Sequence, residues 1–397
     1  MLRRMRAFVL GSIFFALVLG GSVSAAAEVN SSTTEGTVGV TASACGDVNG
    51  DGNIDAIDFA VLKQHLLGIK VNINLQAADV DEDTTVGALD LAVIKKYLLK
   101  MIDKLPYKEG PVEGDITIEP NGSITLQQAI DSIKAGKTIY MKSGTYKYTK
   151  TIIIKEGNNG SANYLKSLVA SGSVTLDFSG MSYSSSNRGI VAAGNYWYIK
   201  GIKIQKAGDN GMLLSGSNNA IANCEFYANK DSGLQISRYN SSYTSINQWP
   251  SNNIIMDCYS HSNYDPDNGE DADGFSPKLT CGKGNEFYRC ISKYNVDDGY
   301  DLYTKDETGP IGSLYFEDCE ASYNGKTEDG VSTPDSDGNG FKLGGDKVSV
   351  DHTLVRCKAF NNKKHGFTWN SNPGKLSLTG CQAIGNGGNN FEKVINN

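Results

Sequence analysis

Histidine is scarce, with four residues in 397, and of these His261, His352 and His365 fall in the long C-terminal part without flanking its acidic clusters. An oxygen-only metal chemistry is therefore favoured there over zinc. A basic surplus is missing too, since 37 Lys and Arg face 44 Asp and Glu for a net charge of -7. Nucleic acid is thereby disfavoured as a partner. Long apolar runs are absent except from Ala7 to about Leu19, after Arg3, Arg4 and Arg6 and before small residues through Ala25 and Ala27. This run is too short for a membrane anchor and reads as a secretory signal peptide over residues 1–27, leaving a secreted chain with no membrane segment after cleavage. Helical periodicity is almost absent beyond residue 138, which excludes an all-α fold for the bulk of the chain.

A repeat stands in its place. Cys224, Cys258, Cys290, Cys319, Cys357 and Cys381 are each followed five residues on by an asparagine: Asn229, Asn263, Asn295, Asn324, Asn362 and Asn386. A Gly-apolar step follows in most copies, as in Gly233-Leu234, Gly274-Phe275, Gly299-Tyr300, Gly340-Phe341 and Gly366-Phe367. An irregular period, rich in Gly and Asn and built on short alternating strands, predicts a parallel β-helix whose rungs stack about 4.8 Å apart. The cysteines should form an inward column of mostly free thiols, packed like small hydrophobes. Eight cysteines in a secreted chain would ordinarily suggest a disulfide framework, but the register argues against one, with Cys45 and Cys281 outside the column. The asparagines should turn the chain in left-handed conformations and bond the asparagine of the next rung. Thr125 to Ile133 reads as an amphipathic helix capping the open end, with early strands at Thr138–Met141, Thr151–Ile154 and Val174–Phe178.

A smaller module precedes the repeat. It lies over residues 45–103, between a linker at 28–44 and a second one at 104–114. Asp47, Asn49, Asp51, Gly52, Asp55 and Asp58 occupy positions 1, 3, 5, 6, 9 and 12 of a calcium loop, and the helix Phe59–Leu67 follows. A second copy begins 32 residues later with Asp79, Asp81, Asp83 and Asp90, followed by Leu91–Leu99. Thr84 replaces its turn glycine and Gly87 a ligand side chain, so this loop is expected to hold calcium more weakly. The duplicated module resembles a type I dockerin. That resemblance implies a cohesin partner on a cellulosome scaffold, selected through Ala56-Ile57 and Ala88-Leu89.

Period-two alternation in the large module, residues 115–397, points Phe275, Tyr300 and Phe341 inward, hence Ser276, Asp301 and Lys342 outward. Lys342 then stands one rung from Asp301, Asp273 one rung from Asp298, and Asp297 beside it. Four such carboxylates repel one another unless a divalent cation joins them, and calcium suits oxygen ligands. Lys278, Tyr303 and Lys305 are expected on neighbouring outward positions, placed to hold a polymer.

The motifs D-A-D-G-F at Asp271–Phe275, D-D-G-Y-D at Asp297–Asp301 and G-F-K-L at Gly340–Leu343 resemble polysaccharide lyase family nine pectate lyases. The resemblance spans about residues 115–397 and implies an all-β, right-handed parallel β-helix, most simply monomeric, cleaving polygalacturonate or pectin by β-elimination. It implies Asp273, Asp297, Asp298 and Asp301 as calcium ligands and Lys342 as the base. The loop Gly325–Asn339 before Lys342 departs from the pattern. Another uronate lyase, a polygalacturonase using Asp297-Asp298 as its acid pair, and a non-catalytic pectin-binding module or adhesin remain alternatives. Gly-His-Gly and Arg-Ile-Lys elements expected of a polygalacturonase are missing.

Overall fold

The computed structural model describes residues 44–82, 86–99, 102, 104–106, 111 and 113–396. The signal-peptide reading, the first linker up to residue 43 and the expected ligand Asp83 lie outside these residues. Contacts separate the chain into two compact units, one ending at Gly110 and the other beginning at Pro111.

In the small unit, helices α1 (Ala56–Leu66), α2 (Leu75–Ala78) and α3 (Ala88–Leu98) enclose a core of Val48, Leu62, Ala78, Val80, Leu91, Val93 and Ile94. Asp55 starts α1 because its Oδ1 accepts the Ile57 N–H at 2.7 Å, satisfying a donor that the first turn leaves free. Both long helices begin three residues earlier than their apolar pattern suggests, and the short α2 carries no periodic signal at all.

The large unit is a stack of parallel strands in three walls. One wall runs Ile152–Ile154, Ile190–Ala192, Met212–Leu214, Leu234–Ile236, Phe275–Ser276, Tyr300–Asp301, Phe341–Lys342, Phe367–Thr368 and Phe391–Glu392. The other two begin as one. The long strands Thr138–Lys147, Lys166–Asp177 and Trp197–Gln205 pair side by side, and the last then pairs with both Ala220–Ala222 and Glu225–Tyr227. From there the sheet divides into two arms, because the residue before each column cysteine adopts a positive φ: Asn223 52°, Asp257 51°, Arg289 50°, Asp318 55° and Arg356 51°. A single left-handed residue ends one strand and turns the chain into the next.

The cysteines behave as expected: all eight are free, and the six column members are buried. The asparagine column is a continuous ladder in which each Nδ2 donates to the Oδ1 of the next rung, at 3.1, 2.8, 3.0, 2.9 and 2.9 Å from Asn229 to Asn386. Its role in the turn differs from the expectation. The left-handed residue is the one before the asparagine, at Ala228, Ser262, Tyr294, Tyr323 and Asn361, while the amide ties the corner. Where the Gly-apolar step follows, a side chain has no room: a Cβ on Gly340 would lie 2.5 Å from the Gly366 carbonyl oxygen and 2.9 Å from Asn362 Nδ2.

Inside, Phe275, Tyr300, Phe341, Phe367 and Phe391 stack with centroids 5.2, 4.4, 4.8 and 5.3 Å apart. Each such pair adds about 0.5–1.5 kcal/mol beyond area burial, so the stack fixes the vertical register of the wall. The cap helix α4 (Leu126–Ser132) starts in a capping box of Thr125 and Gln128, and buries Leu126, Ala129 and Ile130. No helix of the described residues is long and apolar enough to cross a membrane.

Candidate metal centre and its lysines

Two strands of the aromatic wall place the central residues. Tyr300 pairs with Phe341 and Asp301 with Lys342, so inward aromatic packing fixes the opposite orientation of an aspartate and a lysine on adjacent rungs. Phe275 pairs with Tyr300, which sets Asp273 level with Asp298 one rung away. One oxygen each of Asp273, Asp297 and Asp298 lies within 4.8 Å of the others, and all three residues are buried.

Each carboxylate is held by its own partners. Asp273 Oδ2 accepts from Ser276 Oγ (3.0 Å), Ser232 Oγ (3.2 Å) and Lys278 Nζ (2.9 Å), and its Oδ1 from the Asp298 N–H (3.2 Å). Asp297 Oδ1 accepts the Asp337 N–H at 2.7 Å, and Asp298 Oδ1 accepts the backbone and side-chain N–H groups of Asn339 at 2.6 and 2.9 Å. The loop before Lys342 thus ends by bracing two of the aspartates. Asp298 Oδ2 is buried and takes no well-aligned hydrogen bond, although the Lys342 ammonium lies 3.1 Å away. Three converging carboxylates, oxygen donors throughout and a buried oxygen short of a partner fit a calcium ion. Asp301 stands apart from the trio, its Oδ2 3.0 Å from Lys278 Nζ and its Oδ1 accepting the Tyr303 N–H at 3.1 Å.

The electrostatics follow from that crowding. Burial, then repulsion from Asp298 and Asp273, raises Asp297 well above the usual carboxylate range. Asp273 rises through burial, partly opposed by Lys278. Burial pulls the Lys342 ammonium down, but Asp298, Asp301, Asp297 and Asp273 together outweigh it and hold the proton more firmly than on a free lysine. Asp337, from the long loop, sits 3.6 Å from Lys342 Nζ and also pairs with Lys364 at 2.6 Å.

Of the side chains expected to face a polymer, Lys305 is exposed and Tyr303 half-buried, with its hydroxyl on Asp346 Oδ1 at 2.6 Å and the Lys342 ammonium 5.6 Å from its ring centre. Lys278 departs from the expectation. Its side chain is 6% exposed, and its ammonium contacts Asp271, Asp273 and Asp301 at 2.9, 2.9 and 3.0 Å. Alternation fails because Pro277 ends the strand and Leu279, at φ 63°, turns the chain, so the side chain between them folds back. Asp271 was legible as the first residue of D-A-D-G-F, two before Asp273; Ser232 and Asn339 lie on other rungs and carried no separate signal.

In the small unit, Asp47 is buried and its carboxylate accepts the N–H groups of Gly50 (2.9 Å), Asp51 (3.0 Å) and Gly52 (3.1 Å), which curls the first loop around it. Asp58 and Asp90 play equivalent parts. Asp58 accepts from Asn49 and Asp55 at 3.0 and 2.8 Å, and Asp90 from Val80 and Gly87 at 2.8 and 2.7 Å. Asp79, Asp81 and Asp90 bring carboxylate oxygens within 4.8 Å of one another, so the described part of the second loop also gathers oxygen ligands. Asn49, Asp51 and Asp55 line the first loop, where Asn49 Nδ2 donates to Asp51 Oδ2 at 2.8 Å.

Comparison with known proteins bears on both units. Residues 109–397 match the family model "Pel9A-like, right handed beta helix region", and residues 45–99 match the type I dockerin domain. Pectate lyase L of Paenibacillus polymyxa (strain SC2) is 52% identical over 290 residues, covering 70% of this chain and 64% of that protein. Pectate lyase L of Thermoclostridium stercorarium is 42% identical over 285 residues, covering 68% of this chain and 22% of that one. The chain therefore spans less than two thirds of either relative's length. The crystal structure of pectate lyase Pel9A superposes with a TM-score of 0.59 at 30% identity, over 67% of this chain and 68% of that one.

Proposed function

The chain belongs to the Pel9A-like right-handed β-helix family and carries a type I dockerin module, and from that premise we propose that it is a secreted, cellulosome-associated pectate lyase. It cleaves polygalacturonate by β-elimination with calcium assistance and Lys342 as base. The observation that carries the reading is the pairing of Asp301 with Lys342 on rungs beside the buried trio Asp273, Asp297 and Asp298. The curated relatives named above, both called pectate lyases, support the substrate class.

Asp273, Asp297, Asp298 and Asp301 are the residues that would hold calcium, which when bound supplies Lewis acidity toward a uronate carboxylate and offsets the field of the aspartates. With that charge offset, Lys342 would be freed of the surplus negative field that keeps it protonated, and a neutral amine would become accessible. Its lone pair takes the C5 proton of a galacturonate, the C5–H electrons form the C4–C5 double bond, and the C4–O bond breaks toward the departing chain. Acidity at C5 depends on the adjacent carboxylate being neutralised, so base and cation have to serve the same sugar. Tyr303, whose ring centre lies 5.6 Å from the Lys342 ammonium, and the exposed Lys305 are assigned to substrate contact. The dockerin module docks the enzyme to a cohesin, with its calcium loops formed by Asp47, Asn49, Asp51, Asp55 and Asp58 and by Asp79, Asp81, Asp83 and Asp90.

The test is product chemistry. Polygalacturonate treated with the enzyme and calcium should give ultraviolet-absorbing unsaturated ends. New reducing ends without that absorbance would mean hydrolysis, and neither signal would mean binding alone.

A further inference from the structure

Lys278 is the side chain that the proposed reaction leaves unused, although it is buried at the centre of the charged cluster. A buried ammonium loses its hydration and persists only where carboxylates surround it. Lys278 has three, Asp271, Asp273 and Asp301, at 2.9, 2.9 and 3.0 Å. Two of these, Asp273 and Asp301, belong to the set assigned to calcium, while Asp271 is exposed and outside it. Asp273 Oδ2 meets Lys278 while the same carboxylate takes part in the trio with Asp297 and Asp298. Lys278 and a cation at the trio would therefore share one carboxylate and repel each other across it.

We infer that Lys278 is a resident counter-charge that sets the strength of cation binding at this site: its ammonium holds Asp273 and Asp301 together without a divalent ion and weakens the binding of one. The inference rests on the calcium reading of the cluster. Asp301 is tied to Asp273 through this ammonium, which lies 3.0 Å from Asp301 Oδ2 and 2.9 Å from Asp273 Oδ2. Together with Lys342 on Asp298, Lys278 leaves the five aspartates 271, 273, 297, 298 and 301 with a formal surplus of three negative charges, which one divalent ion reduces to one. Lys278 is a positioning residue, separate from the proton transfer assigned to Lys342.

The experiment is calorimetric calcium titration of the full chain as wild type, Asp298→Asn, Lys278→Met and Lys278→Arg, with thermal unfolding in chelator and in calcium. The isotherm component that disappears in Asp298→Asn belongs to the β-helix and is separated in this way from the dockerin loops. Should no component disappear, the calcium reading of the cluster fails before Lys278 is in question. Given such a component, Lys278→Met should bind calcium tenfold or more tightly there, melt lower than wild type in chelator and show a larger calcium-induced rise in Tm. Lys278→Arg, which keeps the charge, should stay within a few fold of wild type. Unchanged or weaker calcium binding in Lys278→Met overturns the inference, as does an arginine variant that behaves like the methionine one.

Discussion

Lys342 keeps its proton because of its neighbours. Asp298, Asp301, Asp297 and Asp273 outweigh the effect of burial, so under the proposed mechanism the aspartates that would gather a cation also keep the base protonated until one arrives. Replacing Lys342 by Ala should lower turnover about a thousandfold or more, with calcium bound no more weakly than in wild type. Steady-state rates combined with calcium calorimetry check both halves. Lys342→Arg should restore little, since a guanidinium gives up its proton far less readily; recovery near the wild-type rate would remove Lys342 from the role of base. A second single-residue test concerns His352, which is buried on the strand His352–Val355. Its Nδ1 accepts the Leu314 N–H at 3.2 Å and its Nε2 has no partner. Burial lowers its pKa from 6.5 to about 3. The unfolded chain therefore binds an extra proton between those values, and the stability contribution present above pH 6.5 is lost as pH falls toward 3, by up to about 1.4 kcal/mol per pH unit. Denaturant unfolding of wild type and His352→Asn at several pH values should show a shallower acid loss in the variant. Parallel curves would contradict this.

At the scale of elements, the rung is held by ladders, and their visibility in the sequence varied for physical reasons. The Cys and Asn columns were legible because side chains at the same rung position must satisfy the same neighbours, so residue type repeats with the fold. The glycine step was legible for the same reason, given the approach of successive carbonyls behind it. Less visible was the place of the left-handed turn. Ala228, Ser262, Tyr294, Tyr323 and Asn361 share a backbone conformation and no side-chain chemistry, leaving nothing to align. A second asparagine ladder, Asn219, Asn253 and Asn285, stands five residues ahead of Cys224, Cys258 and Cys290 and was harder to see because Leu314, His352 and Leu376 hold that position before Cys319, Cys357 and Cys381; Asn253 Nδ2 donates to Asn285 Oδ1 at 2.9 Å. Lys278 escaped because period-two reasoning holds only while the strand continues, and Pro277 ends it. Asn295→Ala should be costly despite its small volume, since it removes the acceptor of the Asn263 N–H and Nδ2 (3.2 and 2.8 Å) and a donor to Asn324 Oδ1 (3.0 Å), all buried. Several unsatisfied buried groups at about 1–3 kcal/mol each predict a loss of about 3 kcal/mol or more by urea unfolding. A loss below about 1 kcal/mol would show that water replaces the amide.

At the scale of the whole molecule, two units of different construction both gather aspartates for oxygen ligation. Among its described residues the small unit has a core cluster of only seven buried apolar residues, so its folding should depend on calcium in the way that small metal-stapled domains do. Addition of excess chelator should reduce helical circular dichroism from residues 45–103 and abolish cohesin capture in a pull-down. Capture that persists undiminished in chelator would remove calcium from the docking role. The β-helix, with its long ladders and aromatic stack, should keep its fold in chelator while losing activity. The central claim, that this wall of the β-helix removes a proton and eliminates a glycosidic bond, is tested most directly by following ultraviolet absorbance and reducing ends together during incubation of the full chain with polygalacturonate. The two signals should rise in proportion with calcium, both stop in chelator and both return when calcium is restored; reducing ends appearing without absorbance, or absorbance rising at full rate in chelator, would contradict it.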